Sequence, residues 1–304
     1  MQILVTGATG VIGQRAIPLL AAAGHRITAA VRDPHRATHF ASLGASVVAL
    51  DLFDRSAVRR ALEGHDAVVN LATHIPASLA TMFLPWSWRE NDRIRRDASR
   101  IVAECAVDAD VSRYVQESFA PVYPDRGDAW IAEETPIAPV AYNRSVADAE
   151  RSAEWFTSRG GTGIVLRFAA FYGRDHMLET MAATVRRGWS PLPGAPDAFF
   201  SSVSWEDAAA AVAAVLDAPA GTYNVADDRP LRRREYVDSL ARAIGAPPPR
   251  FPPRWTTKLM GSLGGMLARS LRISNRKLRE TTGWAPKWRS AADAWPSLLS
   301  DLHA

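Results

Sequence analysis

The residues best able to do chemistry come first in the chain. Thr6-Gly7-Ala8-Thr9-Gly10-Val11-Ile12-Gly13 follows an apolar run, Ile3–Thr6, and opens an amphipathic segment, Val11–Ala23. Glycines at this spacing, between a strand and a helix, answer three physical needs. Gly7 permits a tight turn, Gly10 lets the backbone approach a pyrophosphate, and Gly13 lets the helix pack close on the strand. The pyrophosphate then rests on the positive end of the first helix. The motif predicts a dinucleotide site, with Thr9, Val11 and Ile12 completing the loop.

Such a loop needs a sheet behind it. Six apolar runs read as strands buried on both faces: Ile3–Thr6, Ile27–Val31, Ser46–Leu50, Ala67–Leu71, Arg113–Glu117 and Gly163–Arg167. Helices are expected between them at Val11–Ala23, Arg55–Leu62, Arg89–Val107 and Tyr142–Ser158. This alternation predicts an α/β fold, a Rossmann-type doubly wound parallel sheet with helices on both faces. Beyond Gly173 the rhythm changes, with a Pro/Gly-rich loop at Gly188–Ala198, a helix at Trp205–Leu216 and a strand at Gly221–Val225. Ala246–Pro253 reads as a stiff turn, followed by helices near Thr257–Leu271, Asn275–Thr281 and Ala291–Leu302. The expected division is a dinucleotide-binding domain of residues 1–172 plus about 203–228, and a smaller C-terminal substrate lobe of 173–202 and 229–304.

Composition narrows the function classes. The 304 residues are 47% hydrophobic and 22% charged, an ordinary globular balance. A single cysteine, Cys105, excludes an internal disulfide and a cysteine-rich zinc site, and no metal-ligand spacing or G-x-S-x-G elbow is present. The net charge of +4 is too small and dispersed for a nucleic-acid partner. The runs Arg93, Arg95, Arg96 and Arg232 to Arg234 read as solvated helix faces. The chain opens without a basic leader, and Leu259–Leu271 is too short to span a bilayer. The stripe of Met260, Leu263, Met266, Leu267 and Leu271 reads as lobe core or a subunit contact. A soluble cytoplasmic protein with no membrane partner is expected.

Thr6–Gly13, Asp51-Leu52, Asn70-Leu71-Ala72, Asn91, Leu166-Arg167-Phe168 through Tyr172-Gly173, Val203–Ala208, Tyr223-Asn224-Val225 and Gly283–Pro286 together resemble one family nearly end to end. It is the extended short-chain dehydrogenases/reductases, the NAD(P)-dependent epimerases and dehydratases. The resemblance implies that Asp51 contacts adenine, that Leu71 and Ala72 lie beside the cofactor, and that Phe168 lies near the nicotinamide. At the end of strand two, the position where NAD sites carry a carboxylate is Val31, followed by Arg32. A guanidinium pairs with a 2′-phosphate, so NADP is expected over NAD. The alternative leaves Arg32 on the surface and turns Asp33 toward the ribose. A homodimer through the helices of Arg89–Val107 and Tyr142–Ser158 is also implied.

The family works with a Ser/Thr, a Tyr, and a Lys four residues after it. Here Tyr142 and Ser145 fit, the lysine position is Val146, and the hydroxyl position is Phe119. Ser118 is adjacent but serves only if a bulge turns it inward. Lysine occurs only as Lys258, Lys277 and Lys287. Without a neighbouring cation, Tyr142 should titrate near the ordinary value of about 10. Tyr142 is the expected proton donor, aided by Ser118 or His74. Tyr123 and Tyr172 match structural positions, while Asp125 and His176 have weaker claims. Trp86, Trp88, Trp130 and Trp189 either wall a pocket for a small apolar or polycyclic substrate or pack as core and lid. Three readings stand: an atypical NADP-dependent oxidoreductase or epimerase-like enzyme, a redox-inactive dinucleotide sensor, and a non-redox isomerase or cyclase.

Overall fold

Apolar runs with no polar face belong in a sheet covered on both sides. The computed structural model has that arrangement and describes residues 1–76, 79–82, 84–253 and 255–300. Its main sheet contains β1 (Gln2–Thr6), β2 (Arg26–Val31), β3 (Ser46–Ala49), β4 (Ala67–Asn70), β5 (Arg113–Phe119), β6 (Thr162–Phe168) and β7 (Gly221–Val225). All pair in parallel, in the order β3-β2-β1-β4-β5-β6-β7. The chain leaves β1 toward β2 and β3, then returns to its other side as β4. That switch point is where an open α/β sheet binds ligands.

Alternation along the strands feeds two cores. Ile3, Val5 and Val115 pack with Ile12, Ala16 and Ile17 of α1 (Val11–Ala22) and with Ala208 and Val212 of a helix at Trp205–Ala214. Leu4 and Tyr114 face the other way, onto α2 (Arg55–Leu62), α3 (Ser99–Asp108) and α4 (Arg144–Ser158). A third core joins Tyr172, Leu178 and Val185 to Tyr236 and Leu240 of α5 (Arg233–Ala243) and Trp295 of α6 (Ala291–Leu299). Of the helix expected over Ala291–Leu302, Asp301 and Leu302 lie outside the described residues.

Three departures from expectation bear on function. β5 runs on to Phe119 instead of stopping at Glu117. The helix expected over Arg89–Val107 is interrupted by a π turn at Ile94–Ala98. The segment expected as one helix near Thr257–Leu271 forms two short pieces, Thr256–Leu259 and Gly261–Leu267, with Leu263 and Met266 buried. Among the described residues, no helix is long and apolar enough to cross a membrane.

Candidate active site

The glycine loop is sterically obligatory. Gly7 has φ +64°, and a Cβ on it would sit 2.5 Å from the Leu71 carbonyl. A Cβ on Gly13 would meet the Gly7 oxygen at 2.4 Å. Gly10 starts α1 with no side chain to cap it, so the first helical N–H groups face outward for an anion. The adjoining cavity, about 200 Å³, is lined by Gly7, Thr9, Gly10, Arg32, Asp51, Leu52, Leu71 and Ala72 of the expected set. Thr73, Glu90 and Ile94 join them. This lining fits the phosphate-binding end of a dinucleotide, and a Cβ at Gly7 would collide with the Leu71 backbone that forms part of it. Val11 is exposed, Ile12 and Gly13 pack α1 against the sheet, and Phe168 is buried in the core away from the cradle lining.

Arg32 stands exposed at the end of β2. Asp33 is engaged elsewhere: its Oδ1 accepts from the His35 N–H at 3.1 Å, capping the turn of Pro34–Leu43. Asp51 caps its own turn, accepting from the Phe53 N–H at 3.0 Å.

The expected catalytic residues separate. Tyr142 is half-buried and meets Trp88 edge to face, ring centroids 4.3 Å apart. Burial pushes its phenol far above the ordinary value, against the pull of the Arg95 charge and with a push from Asp92. The expectation of an ordinary Tyr142 without a cation is thus corrected twice. Val146 is completely buried. Ser118 is buried too, but its hydroxyl donates to Glu150, whose carboxylate pairs with Arg167 at 2.7 and 2.8 Å. The β5–β6 register is continuous from Arg113↔Thr162 to Phe119↔Phe168, so no bulge turns Ser118 into the cleft. The His74 side chain is exposed, and its backbone N–H donates to Asn91 Oδ1 at 3.0 Å.

The other aromatic and loop candidates are mostly structural. Trp86 is 60% exposed, Trp130 and Trp189 are about half exposed, and only Trp88 of the four packs against Tyr142. A tryptophan-walled pocket is therefore not formed, because three of these rings lie on the surface. Tyr123 donates to Asn224 Oδ1 at 2.9 Å and accepts from Arg167. Tyr172 donates to Asp227 at 3.3 Å. Asp125 accepts from the Ser270 N–H at 3.1 Å, and His176 is exposed.

Two arginines were missed, both inside runs read as solvated. Arg93 and Arg96 are exposed, but Arg95, in the π turn between them, is only 5% exposed. Its Nη2 donates to Glu117 Oε1 at 2.6 Å, while its Nε and Glu117 Oε2 are buried without a partner. Single π turns often re-aim a side chain at functional sites. Ser145 donates to Asp92 Oδ1 at 2.6 Å, fastening α4 to the short helix Arg89–Arg93 that leads into the turn carrying Arg95. Arg233, at the start of α5, is 1% exposed, and burial pulls it down to about 10. Nothing in a single sequence marks the inward member of an arginine run except helical phase.

Known proteins agree with this geometry. A family model described as NAD(P)H-binding matches residues 7–219. The chain is 32% identical over 305 residues to the 3-diazoavenalumate denitrifying reductase of a Streptomyces species, covering 95% of this chain and 98% of that one. It is 24% identical over 298 residues to the 2-alkyl-3-oxoalkanoate reductase of Shewanella oneidensis, covering 90% and 73%. In fold it is similar to the UDP-glucose 4-epimerase of Thermotoga maritima solved with UDP-glucose (TM-score 0.78, 19% identity, 100% and 99% covered). The dTDP-glucose 4,6-dehydratase of Streptomyces venezuelae solved with NAD is equally close (TM-score 0.78, 23% identity, 99% and 96% covered). The chain belongs to the NAD(P)H-binding family, an oxidoreductase relative built on the fold of the NAD-dependent epimerases and dehydratases.

Proposed function

We propose that the protein is an NADP(H)-dependent reductase of a small, flat aromatic compound bearing a diazo group. The observation that carries this reading is the pair of apolar residues, Phe119 and Val146, at the positions where the resembled family keeps its hydroxyl and amine. A carbonyl oxygen gains negative charge as it is reduced and needs positioned donors to hold that charge. Here the remaining phenol, Tyr142, is lifted by burial and is a weak acid at neutral pH. An aryl diazonium is already cationic and accepts hydride at its terminal nitrogen without an acid. The name of the Streptomyces relative couples reduction of a diazo compound to loss of nitrogen.

The bound cofactor would supply one hydride, so that the aryl diazonium and NADPH give the arene, N₂ and NADP⁺. In this reading the glycine loop and the start of α1 hold the pyrophosphate, and Arg32 meets the 2′-phosphate. Phe119, Trp88 and Tyr142 present apolar and aromatic surface to the substrate ring, and Tyr142 offers a neutral O–H. NADPH oxidation with aryl diazo compounds and a carbonyl panel tests this. Faster turnover of carbonyls, abolished by Tyr142→Phe, would reject it in favour of ordinary carbonyl reduction.

A further inference from the structure

Phe119 also lines a second cavity, about 60 Å³, at the carboxyl ends of β5 and β6. Its walls include Ala169, Phe200 and Met266, with Arg233 and Arg269. Each arginine donates only to backbone carbonyls. Arg233 Nη2 reaches Leu267 O at 2.7 Å and Arg269 O at 2.8 Å. Arg269 reaches Pro121 O, Tyr123 O and Ala138 O at 2.7–3.2 Å. Arg233 Nε and Nη1 are buried with no partner. The acidic groups acting on Arg233 are Asp125, already bonded to Gly127 and Ser270 N–H groups, and the exposed Asp197.

A buried guanidinium is ordinarily paired, and an orphaned buried donor is costly. Two arginines that line one small, largely apolar space, one of them keeping donors without a partner while their shared acidic neighbour Asp125 is engaged with backbone N–H groups, describe a receptor for an anion. The cavity has room for a carboxylate and not for an aromatic ring. We infer that this cavity binds the carboxylate of the substrate, with Arg233 as its anchor, and so fixes the ring over Phe119 with its reactive group toward the cradle. The inference rests on the reductase reading for the identity of the ring, and on the cavity alone for the carboxylate.

The test titrates benzoate, cinnamate, their amides and phenyl phosphate into the protein saturated with NADP⁺, or with NAD⁺ should that bind better. At least one acid is expected to bind tenfold or more tightly than its amide. Arg233→Gln should erase that ratio, and Arg233→Lys should keep part of it, with cofactor affinity unchanged in both. If Arg233→Gln does not fold, the ratio in wild type against Arg233→Lys decides. Acids binding no better than amides, a ratio that survives Arg233→Gln, or phenyl phosphate outbinding the acids would each overturn the anchor. An acid preference without turnover of any diazo compound would keep the anchor and remove the reductase. Equal turnover of diazo compounds with and without a carboxylate would do the reverse.

Discussion

Arg95 and Glu117 form a buried ion pair of 2.6 Å, one partner on a π turn and the other near the end of β5. It puts a cation within electrostatic reach of Tyr142 from the helix opposite Val146. Removing one member of a buried pair strands the other charge. Arg95→Met is expected to lose about 3–5 kcal/mol in urea unfolding, with Arg95→Met/Glu117→Met recovering most of it. A loss in Arg95→Met that the double variant does not recover would show that the stranded Glu117 charge is not its cause.

The proposed contact of Arg32 with the 2′-phosphate makes the cofactor preference testable. NADPH is expected to bind about 10- to 100-fold more tightly than NADH, a ratio that Arg32→Ala should largely erase, because a charge-assisted pair contributes about 1.5–3 kcal/mol. Calorimetry with both cofactors checks this. Tighter binding of NADH by the wild type would contradict it.

Gly7→Ala should abolish cofactor binding outright. The added methyl would strike the Leu71 backbone in a conformation of positive φ that alanine rarely adopts. A variant that binds NADPH normally by fluorescence would remove the loop from the site.

Asp227 gives a pH-dependent prediction. It is buried, and desolvation with help from Asp207 holds its carboxyl well above the ordinary 3.8. The folded protein therefore keeps a proton that the unfolded chain has released, so this group's contribution is complete below 3.8 and lost as pH rises toward the folded value. Asp227→Asn has no proton to lose. Its Tm should exceed that of the wild type by about 2–4 °C at pH 8 for each 1 kcal/mol recovered, with the gain shrinking toward pH 4. A gain that is the same at every pH would refute the assignment.

The parts legible in the sequence were those set by local sterics. The positions of Gly7 and Gly13 follow from close approach, and the strands follow from apolar runs too uniform to face water. Alternation along β5 likewise kept Ser118 opposite Phe119. Arg95 and Arg233 were not legible, because only the tertiary fold decides which arginine of a run turns inward. The tryptophans misled for a related reason. Their ring size says nothing of whether a neighbour covers them, and Trp86, Trp130 and Trp189 remain largely in solvent.

The most direct measurement follows the hydride. A diazotised aminobenzoate is incubated with the protein and NADPH carrying deuterium at C4 of the nicotinamide. One N₂ should be released per NADPH consumed, more slowly with the deuterated cofactor than with ordinary NADPH, and with Tyr142→Phe retaining most of the rate. Nitrogen loss that consumes no NADPH, or deuterium delivered only to carbonyl substrates, would contradict hydride transfer to a diazo group.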